Sequence, residues 1–359
     1  MSEGETLESK VEEGRGISFF EKFLPVWVAL CIVIGVILSQ FVPGIADAIN
    51  MMSIGNISVP IGICLFLMMY PAMLNLQASE IKKLGKNPKP IVLTLVSNWA
   101  VAPIAGALLA ALFLRSHPDP QVANELTVAV ILLAASPCTA MVLVWGWMAK
   151  GNQEQNVITT SINTITIIIG FAPLVAILTG IQAIWVDPIL LLISAGLFIG
   201  LPLAAGVISK KLIIKRKGED WFDNTYRPLV GKIAIIALLT TLIVLFSLNG
   251  KTLVENPDLL VLVSIPLLLG FAIVVGYNLL ITKLLKLPYR NAIITVIIGS
   301  SSHFEIAIAT AIAMYGVGSI AALGTTMGLF WEVPIMLSLT YLGKFLGKRG
   351  FWESDNIPN

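Results

Sequence analysis

Two carboxylates, Glu305 and Glu332, and one cysteine, Cys138, stand inside long apolar runs. Burying an ionised carboxylate in a lipid environment costs several kcal/mol, so each of the two is a functional candidate by its position alone. A carboxyl group that takes up and releases a proton at such depth suits proton coupling. Glu332, in Phe330-Trp331-Glu332-Val333-Pro334, could equally brace the kink that Pro334 imposes. Cys138 follows Pro137. A thiolate is a soft ligand, whereas a buried thiol often serves as a small apolar side chain; both readings stay open on the residues alone. His303, two residues before Glu305, could titrate near physiological pH or merely bond a backbone carbonyl. Asn98, Asn163 and Asn278 are amides suited to bonds between helices, and Ser97-Asn98 and Asn163 could also line a cavity. Cys31 and Cys64 lie in unbroken apolar runs and read as packing residues.

The elements that must position these groups are membrane spans. Only 12% of the 359 residues are charged, against roughly 25% in a soluble domain. Mean hydropathy is +0.89. The apolar stretches run to roughly 20 residues, the length a helix needs to cross the hydrocarbon core. They do not alternate polar with apolar, as barrel strands would, so the expected fold is an all-α polytopic bundle. Ten spans are expected at about 24–42, 56–77, 91–114, 126–149, 157–179, 188–209, 229–248, 259–282, 291–316 and 318–342. With a cytoplasmic N-terminus, the 23 Lys and Arg all fall in inside segments except Arg115 and Lys251. Such asymmetry is what the positive-inside rule demands. It places both termini in the cytoplasm of a multi-pass inner-membrane protein.

Ten spans divide into two five-span halves, the second inserted upside down, a common construction of secondary transporters. The expected organisation is a cytoplasmic tail (1–22), the first five-span repeat with the sixth span (23–209), a basic amphipathic cytoplasmic connector (210–228), spans seven to ten (229–342) and a cytoplasmic C-terminal tail (343–359). The connector carries Trp221, Phe222 and Tyr226 among its basic residues and is expected to lie on the membrane surface. The basic inner face implies contact with anionic membrane lipids and no nucleic-acid partner.

The fourth and ninth spans both break near their centres. The fourth reads Ala134-Ala135-Ser136-Pro137-Cys138-Thr139-Ala140; Pro137 lacks a backbone donor and clashes one turn back. The ninth reads Gly299-Ser300-Ser301-Ser302-His303-Phe304-Glu305, where glycine and consecutive serines weaken the helix. Counting from the span ends, Cys138 and Glu305 lie roughly 18–21 Å from a membrane face, near the midplane. Opened helix at that depth is tolerated only inside protein or beside a water-filled cavity, and the freed helix ends favour polar oxygen ligands. A single kink would be structural; two at matching positions of two halves point to a binding site.

No Gly-x-x-x-x-Gly-Lys-Ser/Thr phosphate loop is present, so no ATPase is built in. No HExxH or GxSxG motif suggests a membrane enzyme, no paired buried histidines offer haem ligation, and no cofactor is expected.

The break sequences resemble the arsenite efflux permeases of the bile acid/arsenite/riboflavin transporter superfamily. The resemblance runs over most of the chain, through Phe23-Leu24-Pro25-Val26-Trp27, Ser97-Asn98-Trp99 and Glu332-Val333-Pro334. It is sharpest at Ala135-Ser136-Pro137-Cys138-Thr139-Ala140-Met141-Val142 and Phe304-Glu305-Ile306-Ala307. It implies that Cys138 is the essential cysteine and As(III) ligand, and that Glu305 is the ninth-span glutamate. It also implies a panel domain (spans 1, 2, 6 and 7) beside a core domain (3–5 and 8–10) in which the broken spans cross. Family members often carry asparagine at the ninth-span break, where this chain has Ser301-Ser302-His303. The function implied is efflux of arsenite, with antimonite a second substrate, by antiport with protons, conferring arsenic resistance. Substrate contacts are expected from Cys138, Ser136, Asn98, Ser302 and His303, and proton coupling from Glu305 and Glu332. The competing expectation is a sodium-coupled organic-anion carrier of the same fold, its Na+ held by several oxygens near the crossing; such a carrier has no need of a thiol at Cys138.

Overall fold

The computed structural model describes residues 23–42, 44, 48, 51–54, 57–74, 88–139, 141–255, 257–316 and 318–353. The expected N-terminal tail, residues 75–87 and the last residues of the C-terminal tail lie outside them. Apart from a two-residue antiparallel pair, Ser53–Ile54 with Ile57–Ser58, the regular structure is helical. The helices are α1 (Leu24–Phe41), α2 (Val59–Leu74), α3 (Pro88–Phe113), α4 (Pro120–Ala134), α5 (Val142–Met148), α6 (Gln153–Ile181), α7 (Pro188–Lys217), α8 (Glu219–Leu248, continuing to Glu255), α9 (Pro257–Leu284), α10 (Tyr289–Ser300), α11 (Phe304–Tyr315) and α12 (Ile320–Lys348).

Six of these, α3, α6, α7, α8, α9 and α12, are long and apolar enough to cross a membrane; α1, α2, α4 and α11 are apolar but shorter. The chain is therefore a polytopic helical membrane protein. Large apolar side chains such as Leu108, Ile169, Ile181 and Ile236 face outward, as expected where the surrounding solvent is lipid.

Helix starts follow local chemistry. Asp119, Asn152, Asp187 and Ser319 each accept a backbone N–H at the start of α4, α6, α7 and α12, satisfying donors that the first turn leaves orphaned. The Asp119-Pro120 start makes α4 begin six residues before the expected fourth span. The 210–228 segment is helical except at Gly218, whose φ of +86° separates α7 from α8; glycine tolerates this left-handed backbone.

Packing divides the helices into two groups. α8 lies along α1 and α2, and the second half of α7 packs on α2. The second group gathers α3, α4, α9, α10, α11 and α12, with α5 and α6 on α10. At one end of the second group, Tyr289 donates its hydroxyl to the Ala149 carbonyl (2.8 Å), and the Trp352 indole donates to Thr282 (3.0 Å).

Small residues set how closely α12 approaches α4. A Cβ on Gly324 would stand 2.8 Å from the Ala129 Cβ and 3.2 Å from a Leu126 methyl. Gly324→Val should force α12 from α4 and cost about 1–3 kcal/mol, read as a lower midpoint in thermal unfolding of the detergent-solubilised protein. An unchanged midpoint would mean that this contact does not set the packing.

Candidate functional site

The two interrupted helices meet. α4 ends at Ala134 and α5 resumes at Val142; α10 ends at Ser300 and α11 begins at Phe304. The gaps pair with each other as a short antiparallel bridge between Pro137 and Ser302. The His303 N–H donates to the Ser136 carbonyl at 2.7 Å. Each gap thus supplies partners that the other gap's opened backbone needs, since an unsatisfied peptide group in a lipid-buried site costs several kcal/mol. Ser136 also turns its hydroxyl back to the Leu133 carbonyl (2.9 Å), closing the end of α4.

Four uninterrupted helices hold this crossing through polar side chains. From α6, Asn163 donates its amide to the Cys138 carbonyl at 3.1 Å. From α12, one Glu332 oxygen accepts the Ser302 N–H (3.0 Å) and the Ser301 hydroxyl (2.5 Å); the other accepts the Ser302 hydroxyl. α3 widens into a π turn at Ser97–Val101, a local geometry found often at functional positions. Two adjacent residues of that turn reach different breaks. Ser97 donates to the Gly299 carbonyl at 2.8 Å, and Asn98 donates to the Asn163 side chain at 3.4 Å. From α9, Asn278 donates to Ser97 (2.8 Å) and to Ser300 (3.2 Å). The space is tight: a Cβ on Gly299 would lie 2.8 Å from the Asn278 carboxamide oxygen, so only glycine lets α9 come this close.

The His303 ring packs among chemically unlike neighbours. The Thr139 hydroxyl is 3.4 Å from Nδ1, the Met69 sulfur of α2 is 2.9 Å from Nε2, and a Glu305 oxygen is 3.6 Å from Nε2. Glu305 stands in the first turn of α11, where the helix dipole favours negative charge. His303, Cys138, Glu305 and Glu332 are all buried. The three cysteines are thiols rather than disulfides. Among the described residues no group of three His, Cys, Asp or Glu is arranged to hold a metal ion. The crossing brings together one imidazole, one thioether, two carboxylates and several hydroxyls, with the buried Cys138 in the first break.

All seven candidate residues read from the sequence, Asn98, Ser136, Cys138, Ser302, His303, Glu305 and Glu332, fall at the crossing or on its supports. Asn98 reaches it through Asn163, and Glu332 is committed to Ser301 and Ser302. Two residues escaped the sequence reading. Met69 is one of 11 methionines, and nothing in its spacing marks it. Glu125 is a third buried carboxylate, on α4; it accepts from the Gln121 amide (2.8 Å) and from the Ala321 N–H at the start of α12 (3.1 Å). The Asp119-Pro120 helix-start signature could have revealed it by placing Glu125 inside the helix.

Comparison with known proteins agrees in direction. The sodium bile acid symporter family profile matches residues 62–256. An uncharacterized transporter of Synechocystis sp. is 38% identical over 355 residues, covering 95% of this chain and 92% of that protein. The arsenical-resistance protein Acr3 of Alkaliphilus metalliredigens is 37% identical over 340 residues, with 92% and 94% covered. The protein of the same name from Corynebacterium glutamicum is 30% identical over 352 residues, with 96% and 94% covered.

If Asn163 holds the first break closed, Asn163→Ala should free the Cys138 backbone. In a background with Cys31 and Cys64 replaced by alanine, maleimide labelling of Cys138 should accelerate about threefold, in line with the about 0.6 kcal/mol of a hydrogen bond between membrane helices. Labelling at the native rate would show that the break is held by other contacts.

Proposed function

The chain belongs to the sodium bile acid symporter family, and on that premise we propose that it is a secondary active carrier exporting arsenite, and antimonite with it, in exchange for protons. The observation that carries this reading is the meeting of the Cys138 break with the Ser301–Glu305 break. It sets the segment that carries the Cys138 thiol against the segment that carries the Glu305 carboxyl. The near full-length likeness to proteins named for arsenical resistance supports the choice of solute.

Arsenite at neutral pH is mostly uncharged As(OH)3, three hydroxyls around a soft centre. A carrier site must bind weakly enough to release, and three thiols would hold As(III) too firmly. One thiol, Cys138, gives selectivity with release. Ser136, Ser302 and His303 offer bonds to the hydroxyls, and Asn98 acts through Asn163. Because the solute is neutral, the membrane potential does no work on it unless another charge moves. Glu305 is the proton carrier in this scheme: protonation from outside displaces arsenite, and deprotonation inside restores binding. Glu332, bonded to both serines of the second break, links its own proton occupancy to the shape of that break.

The architecture proposed for this cycle has ten spans: the six long helices, α1, α2, and the two broken pairs α4/α5 and α10/α11. They form two inverted five-span repeats, with both termini cytoplasmic in the inner membrane and the 210–228 segment on the cytoplasmic surface. Asn163 on the fifth span and Glu332 on the tenth each support one break, as such a repeat would place them. The group containing α1, α2 and α8 would be the panel against which the core moves.

The family profile's own name favours a second reading, sodium-coupled transport of an organic anion. Cys138 separates the two, since such a carrier needs no thiol there.

Everted membrane vesicles with an imposed proton gradient test the proposal. The native chain should accumulate arsenite, and Cys138→Ala should reduce uptake at least about tenfold, the loss of roughly 1.4 kcal/mol of differential binding. Equal uptake by both would remove the thiol from the mechanism; no arsenite uptake by the folded native chain, with sodium-driven uptake of an organic anion, would replace the first reading by the second. Glu305→Gln, which holds the side chain neutral as protonation would, should bind arsenite poorly and fail to concentrate it. Proton-driven accumulation by that variant would end the role assigned to Glu305.

A further inference from the structure

Cys138 is not the only sulfur at the crossing. Met69 lies on α2, 1% exposed, with its sulfur 2.9 Å from His303 Nε2. The rest of α2 runs along α7 and α8. Its neighbour Met68 turns its sulfur the other way, accepting the Thr241 hydroxyl of α8 at 3.7 Å. Two adjacent methionines on one helix thus serve two groups of helices, Met68 the α8 side and Met69 the crossing.

A thioether is an odd choice beside an imidazole if packing or hydrogen bonding were all that mattered. As an acceptor it is weak compared with any oxygen. As a space-filler it is flexible and specifies position less well than leucine. His303 already has the Thr139 hydroxyl and the Glu305 carboxylate at hand. What the sulfur adds is polarisability and softness, properties useful toward a soft, electron-poor centre rather than toward a proton.

We infer that Met69 is a specificity-determining residue of the solute site, contributed by α2, whose thioether makes a non-covalent contact with the trivalent arsenic centre. The inference rests on the arsenite reading above and deepens it. The solute then meets a thiol from the first break, hydroxyls and an imidazole from both breaks, and a thioether from the opposing helix group. Because Met69 and Cys138 belong to different groups, any movement of one group against the other changes their separation. The site is then complete in only one arrangement and weakens in the other, which is what release requires. The contact forms no bond, so binding needs no redox partner and no leaving group.

The test is Met69→Leu, a swap that conserves volume and removes the sulfur. In everted vesicles under a proton gradient, KM for arsenite should rise several-fold, up to about tenfold for a sulfur contact of this kind. The maximal rate and the pH profile should stay within about twofold of native, because the Met69 sulfur carries no proton. Antimonite, whose centre is softer, should lose more than arsenite. A purely structural role would instead lower the unfolding midpoint and the amount of folded protein without moving KM. Should Met69→Leu fold poorly, Met69→Ile supplies the second sulfur-free side chain, read in the same way. Native KM values for both solutes in a folded variant would overturn the role of Met69 while leaving arsenite transport intact. Absence of arsenite uptake by the native chain would instead overturn both readings.

Discussion

A peptide group opened in the middle of a membrane must find a partner within the protein, because hydrocarbon offers none. Two helices of this chain are opened inside the bundle, and the solution is mutual. Pro137 and Ser302 align as an antiparallel bridge, and the His303 N–H closes on the Ser136 carbonyl. Neither break is tolerable alone. Pro137 removes a donor and disrupts α4, and the Gly299–Ser302 run invites α10 to end. The rest of the bundle is arranged so that these two ends arrive at the same place.

Four intact helices then fix the crossing, each by a single polar side chain or an adjacent pair: Ser97 and Asn98 on α3, Asn163 on α6, Asn278 on α9 and Glu332 on α12. Hydrogen bonds between membrane helices average only about 0.6 kcal/mol each, so no one of them determines the geometry. Their connection does. Asn278 bonds Ser97, Ser97 bonds the second break, Asn98 bonds Asn163, and Asn163 bonds the first break. The π turn in α3 lets neighbouring residues point to both breaks. Glycine at 299 lets α9 approach, and glycine at 324 lets α12 lie against α4.

Such a framework leaves the reactive groups less encumbered than the supports around them. Glu332 accepts three bonds from the second break, while Glu305 has the His303 ring 3.6 Å away. This inequality separates a carboxylate bonded to the break from one that the proposed mechanism uses for the proton. The same division recurs for sulfur: Met68 is bonded within the α8 side, and Met69 is turned to the crossing. In the proposed arsenite carrier, selectivity for a soft, hydroxylated solute would come from a mixture of weak partners, which suits a site that must empty in every cycle.

The sequence by itself determined that the chain is helical and membrane-embedded, because run length and charge depletion answer to lipid rather than to any neighbour. It also located both breaks, since proline and serine-rich runs interrupt a helix through local backbone chemistry. Cys138, His303 and Glu305 stood out for the same reason: polar or reactive groups inside apolar runs are costly wherever they pack. The family resemblance implied that the broken spans cross, but only the tertiary structure decided which groups join them, that Asn98 works through Asn163, that Glu332 clasps Ser301 and Ser302, and that Met69 reaches His303 across 234 positions of sequence. Glu125 was invisible because a helix start six residues earlier than expected moved it from loop to helix. These are consequences of packing between distant helices. A residue's type reports the cost of burying it, but which partner relieves that cost depends on which helices the bundle brings together.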